Sequence, residues 1–98
     1  MYARVTTLDL NTEKWGEVLA AIDTVQDFMG KLSGIRSFVI VADHETGKGP
    51  AVAVFDNKEA LDAVTDQINQ ELAGFASFFS SPPKQLTFMG PSNAPDLF

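Results

Sequence analysis

Along this chain the spacing of apolar residues switches between every second position and every third or fourth, and each switch marks an element. From Tyr2 to Asp9, Ala3, Val5 and Thr7 alternate with Tyr2, Arg4, Thr6 and Leu8, a β-branched-rich pattern that predicts a strand. Asn11 or Thr12 then supplies a helix cap, with Glu13 where a carboxylate suits the positive end of the helix. Trp15, Val18, Leu19, Ile22, Val25, Met29 and Leu32 follow at threes and fours, opposite Glu13, Glu17, Thr24, Asp27 and Lys31. That is an amphipathic helix with one buried stripe, and Gly30 and Gly34 offer it two places to stop. A second strand is predicted over Ile35 to Asp43 and a third over Pro50 to Asp56, joined by the glycine-punctuated turn His44 to Gly49 into a hairpin. Asp56 and Glu59 have capping-box spacing, and Leu61, Val64, Ile68, Leu72 and Phe75 mark the stripe of a second helix. Gly74 and Ser80-Ser81-Pro82-Pro83 close that region, Lys84 to Met89 reads as a fourth strand, and residues 91–98 form a tail.

Strand, helix, strand, strand, helix, strand is the order of a ferredoxin-like α+β sandwich. It predicts a four-stranded antiparallel sheet over residues 1–90, strands one and three central, with both helices on one face. Two helices cover one face, and a sheet with a wet second face should alternate apolar with polar. The second and third strands do not: Phe38, Ile40 and Ala42 oppose Ile35, Val39 and Val41, and Val52 and Val54 oppose Ala51, Ala53 and Phe55. The uncovered face is therefore apolar, as at an interface or a ligand site. Two copies packed sheet to sheet about a two-fold axis, enclosing a cavity, would satisfy it. The other reading covers the face with the chain's own tail, through Leu97 and Phe98.

Two segments carry a resemblance. Gly34-Ile35-Arg36-Ser37-Phe38-Val39-Ile40-Val41 and Ala53-Val54-Phe55-Asp56-Asn57-Lys58-Glu59-Ala60-Leu61-Asp62-Ala63, separated by a turn, resemble the antibiotic-biosynthesis-monooxygenase-like domains of the dimeric α+β barrel superfamily. In those domains the second strand opens with a glycine, and the third runs into an aromatic, a short cap and a Glu-Ala-Leu helix start. The resemblance implies the fold strongly and the activity weakly, because one fold hosts many chemistries. Family oxygenases carry His or Trp a few residues into the second helix, where this chain has Val64. Haem-degrading relatives carry an Asn in the first strand and an iron-ligating His in a helix. Here Thr6 stands near the former place and the second helix has no His. The resemblance thus disfavours haem degradation, and no cofactor is expected.

Composition narrows the classes further. Among 98 residues there is no cysteine, which excludes disulfides, thiolate metal sites and cysteine nucleophiles. The net charge of −6 repels phosphate backbones, so nucleic acid is not an expected partner. No apolar run approaches the roughly 20 residues that span a bilayer, so no membrane association is expected. Met1 to Thr7 lacks a basic stretch leading into an apolar block, which makes the cytoplasm the expected compartment. Thr46-Gly47-Lys48-Gly49 lacks the upstream glycine of a phosphate-binding loop.

The candidate chemistry rests on the two arginines, Arg4 and Arg36, both inside predicted strands with a third strand between them. At about 10 Å between backbones their guanidinium groups could converge on one carboxylate, phenolate or quinone oxygen. On this reading Tyr2, Arg4 and Thr6 form the polar wall of an apolar pocket completed by Arg36, Phe55 and Val64. The competing reading pairs each arginine with an acid such as Asp9, Asp43 or a carboxylate of a second copy near the sheet rim. His44, the one histidine, reads as a solvated turn residue between Asp43 and Glu45, and no metal site is expected from it. Trp15 reads as core, and Phe75, Phe78, Phe79 and Phe88 as core filler that could line a pocket. The function expected is a homodimeric barrel with an apolar pocket for a small apolar or aromatic ligand. Its activity would be a cofactor-independent, monooxygenase-like reaction on a small aromatic or polyketide-type molecule. The alternative is a non-catalytic dimer that binds a small molecule or serves assembly.

Overall fold

The computed structural model describes residues 1–90, so the tail expected at 91–98, with Leu97 and Phe98, lies outside the described residues. The elements run β1 (Tyr2–Leu10), a 3-10 turn (Thr12–Lys14), α1 (Trp15–Gly30), β2 (Ile35–Ile40), β3 (Lys48–Phe55), α2 (Lys58–Ala73), a second 3-10 turn (Ala76–Phe78) and β4 (Phe79–Met89). The sheet is antiparallel with strand order β2-β3-β1-β4, the ferredoxin-like arrangement. No helix among the described residues is long and apolar enough to cross a membrane.

Register fixes which side chains share a face. Arg4 stands opposite Ala53 and Thr87, and Thr6 opposite Ala51 and Gln85. On β1 the even positions therefore face the helices, where Thr6, Leu8 and Leu10 are buried. Phe38, Ile40, Ala51, Ala53 and Phe55 share that face across the register. They meet Val18, Val25 and Met29 from α1 and Leu61, Val64 and Ile68 from α2. The odd positions of β1 look the other way, beside Val39 and Val52 and the exposed Leu86 and Phe88. Phe88 is thus on the uncovered face and not in the core. Leu19, expected in the buried stripe of α1, is 47% exposed, because Val18 and Val25 at one-turn multiples take the contact with the sheet.

Three boundaries differ from the sequence expectation, each for a local reason. The cap of α2 is Asn57, whose side-chain oxygen accepts from the Ala60 backbone N–H at 2.8 Å. Asp56 instead gives its own N–H to the Gly34 carbonyl at 3.1 Å, which ties the helix start to the end of the α1–β2 loop. β4 begins at Phe79, running through the two prolines taken as a break. Thr7 pairs with Lys84 but Asp9 with Ser81, so the register slips across Pro82 and Pro83. A bulge on an edge strand is where a residue without an N–H costs no ladder bond. β2 ends at Ile40, although Val41 and Asp43 still donate to Pro50 and Lys48 at 3.1 and 2.9 Å. The turn beyond is built by Asp43, which accepts from the Thr46 hydroxyl at 2.8 Å and backbone N–H at 3.0 Å and is thereby held below its usual carboxylate range. Gly47 closes it at φ +73°, its carbonyl receiving Leu10 N–H at 2.8 Å.

Candidate functional site

Between the sheet and the two helices lies a cavity of about 70 Å³. Its floor is the helix-facing side of β1 and β3, with Arg4, Thr6, Ala51, Ala53 and Phe55. Met29 and Ile68 bring α1 and α2 over it, and Phe75, Phe78 and Phe79 close the end where α2 returns to the sheet. Pro83 and the exposed Gln85 of β4 also line it, so the cavity opens toward that edge. The third strand carries the reason for the space. Ala51 and Ala53 alternate with Val52 and Val54, and it is the alanines that face the helices opposite Thr6 and Arg4. A methyl group on that flank leaves room that a valine would fill.

Arg4 is the single charged residue of the lining among the described residues. Its Nε and Nη1 are buried with no hydrogen-bond partner among the described residues. Unpaired buried donors on a guanidinium are rare, because the charge loses its water and gains nothing in return. Arg36 has a different environment. Its Nε lies 3.8 Å from the Asp56 carboxylate, and it does not line the cavity. The two arginines therefore do not converge: β2 bulges between Ile35 and Ser37, and Arg36 turns to the start of α2.

Of the remaining candidates, Thr6 and Phe55 line the cavity with Arg4, whereas Tyr2 and Val64 do not. Tyr2 packs at the edge of the core cluster around Phe55 and Leu61, and Val64 is buried within that cluster. Asp9, offered as a partner for arginine, accepts instead from the Ser81 hydroxyl at 2.7 Å, across the bulged end of β1 and β4. Phe75, Phe78 and Phe79 prove to be cavity walls as well as packing residues. The sequence reading missed the pairing of Trp15 with His44, whose rings stack at 4.8 Å and 17°. Residues so far apart in sequence meet because the β2–β3 turn folds back beside the start of α1. Neither ring lines the cavity, and no cluster of metal-ligating side chains occurs among the described residues.

No family model matches the sequence, and no curated protein does. Solved structures do match. A Deinococcus radiodurans protein proposed as an antibiotic biosynthesis monooxygenase superposes with a TM-score of 0.80 at 13% identity, over 100% of this chain and 99% of that one. A variant of SnoaB, a cofactor-independent oxygenase from Streptomyces nogalater, superposes at 0.75 and 10% identity over 97% of each chain. Rv0793 from Mycobacterium tuberculosis gives 0.76 and 14% over 96% of this chain and 98% of that one. The described residues thus share the ferredoxin-like fold of these solved structures.

Proposed function

We propose that this chain forms a homodimer through the uncovered sheet face and binds a small aromatic molecule in the cavity between sheet and helices. There it would oxygenate that molecule without a cofactor. The observation that carries the reading is the cavity itself, apolar throughout except for Arg4, Thr6 and Gln85. An apolar pocket of this kind suits a molecule whose electron-rich ring can react with oxygen directly, since a bound ring displaces water, which protects a reactive anion and strengthens every electrostatic contact inside. The likeness to a fold that includes a cofactor-independent oxygenase supports the same chemistry. For the dimer, the support is the row of Val5, Val39, Val52, Leu86 and Phe88 on the face away from the helices, which Leu86 and Phe88 leave 59% and 54% exposed.

One observation favours the second reading, binding without turnover. Among the described residues no carboxylate or imidazole lines the cavity, so proton removal would fall to the substrate's own acidity or to water. Oxygen consumption with small quinols, measured beside native mass spectrometry of the purified protein, separates the two. Protein-dependent uptake by a dimer supports the oxygenase. A dimer that holds a ligand mass and consumes no oxygen overturns catalysis and leaves binding. A bare monomer with no uptake overturns the proposal as a whole.

A further inference from the structure

We infer that the ligand of this cavity is a single-ring organic monoanion, a carboxylate or an ionised phenol, whose charged oxygen sits on Arg4. The inference rests on the small-molecule reading above and specifies its chemistry. A guanidinium is a permanent charge, and here two of its nitrogens are buried with neither a partner nor an acid in the lining among the described residues. The energetic remedy is an anion delivered from outside, because a charge-assisted hydrogen bond in an apolar site restores what burial removed. One unpaired cation calls for one negative charge; a dianion would leave a second charge buried among aliphatic and aromatic walls.

Geometry places the anion and its body. Arg4 and Thr6 lie two residues apart on the same face of β1, so a guanidinium and a hydroxyl flank one spot on the floor. Ala53 and Ala51 stand opposite them on β3, and no larger side chain occupies that flank. Beyond it, Met29, Phe55, Leu61 and Phe75 offer apolar surface for a ring. Volume sets the size. At about 70 Å³ the cavity is small, which favours an anion of one ring over one of three fused rings.

Calorimetric titration at neutral pH with benzoate, with its neutral isostere benzamide, and with anthracene-9-carboxylate tests this on the full chain. The expected result is saturable benzoate binding about tenfold or more tighter than benzamide, with no binding of the three-ring acid. Arg4→Met, its fold checked by circular dichroism, should bring benzoate down to the level of benzamide, and Arg4→Lys should keep part of the preference. The wild-type comparison needs no variant to fold. Equal binding of benzoate and benzamide, or a preference that survives Arg4→Met, overturns the anion inference and leaves the apolar pocket standing. Binding of the three-ring acid as tight as benzoate overturns the size assignment. Failure of benzoate and benzamide alike at millimolar concentration overturns the pocket reading, and this inference with it.

Discussion

Replacing Arg4 with methionine should stabilise the ligand-free protein. In the unfolded chain the guanidinium is fully hydrated; in the fold its Nε and Nη1 lie buried with no partner among the described residues. A buried donor left unsatisfied costs on the order of 1–3 kcal/mol, more when charged. Methionine keeps an unbranched stem over the same floor and carries no donor, so it removes the penalty while retaining most of the packing. Two donors relieved at about 1.5 kcal/mol each, toward the low end of that range, less about 1 kcal/mol for lost stem contacts, leave a gain of about 2 kcal/mol. For a domain this size each kcal/mol moves Tm by about 4–8 °C, so the melt should rise by roughly 8 °C or more. The assay is thermal unfolding by far-ultraviolet circular dichroism, both proteins at one concentration, because any self-association raises Tm by mass action. A Tm for Arg4→Met at or below that of the wild type would refute the reasoning, since the guanidinium would then be satisfied in solution and would hold the fold together.

Other consequences are open to direct measurement. Gly34 adopts φ +81°, and a Cβ there would lie 2.7 Å from the Ala60 Cβ. Gly34→Ala should therefore cost on the order of 2 kcal/mol, read as a lower urea midpoint with an unchanged slope. Phe88→Asp, at a position 54% exposed in the single chain, should leave the monomer's stability within about 0.5 kcal/mol while weakening self-association by tenfold or more in sedimentation velocity. Asp43 is held below the ordinary carboxylate value, first by the Thr46 hydroxyl and then by the Thr46 N–H. A depressed folded value means that its contribution is fully present above the unfolded value and disappears as the pH falls through the folded one. Thr46→Val should raise the Asp43 midpoint toward the ordinary carboxylate value in a carbon-detected NMR titration; an unmoved midpoint would show that the hydroxyl bond does not form in solution.

How far the sequence reached depends on what each residue's neighbours decide. The order of elements followed from periodicity, because each period belongs to one kind of backbone, and the central places of β1 and β3 followed from the ferredoxin-like arrangement which that order implies. Arg4, Thr6 and Phe55 were legible as pocket residues for a similar reason: alternation on β1 puts the first two on one face, and register adds the third. What could not be read was which face of β2 and β3 turns inward. Both are apolar, and only the pairing of Arg4 with Ala53 settles it. The small-large rhythm of Ala51 to Val54 was the available signal, since alanines facing the helices mark where the interior is hollow. Arg36 was misplaced because a bulge, invisible to strict alternation, separates Ile35 from Ser37 and leaves the side chain beside Asp56. The prolines of β4 misled for the opposite reason, as a central strand excludes them and an edge strand does not.

The alternation along β1 has a consequence for how such a protein can diversify. Even positions from Arg4 to Leu10 belong to the interior, and odd positions from Ala3 to Asp9 belong to the opposite surface. One nine-residue strand thus carries two interleaved messages that point replacements touch separately. A lineage could retune the ligand through the even letters while its outer face stays constant, or change what it docks against through the odd ones. Inserting or deleting one residue would exchange the two messages at a stroke, turning Arg4 outward and Val5 in. Along this strand, substitutions are the permitted currency of change and length is the forbidden one.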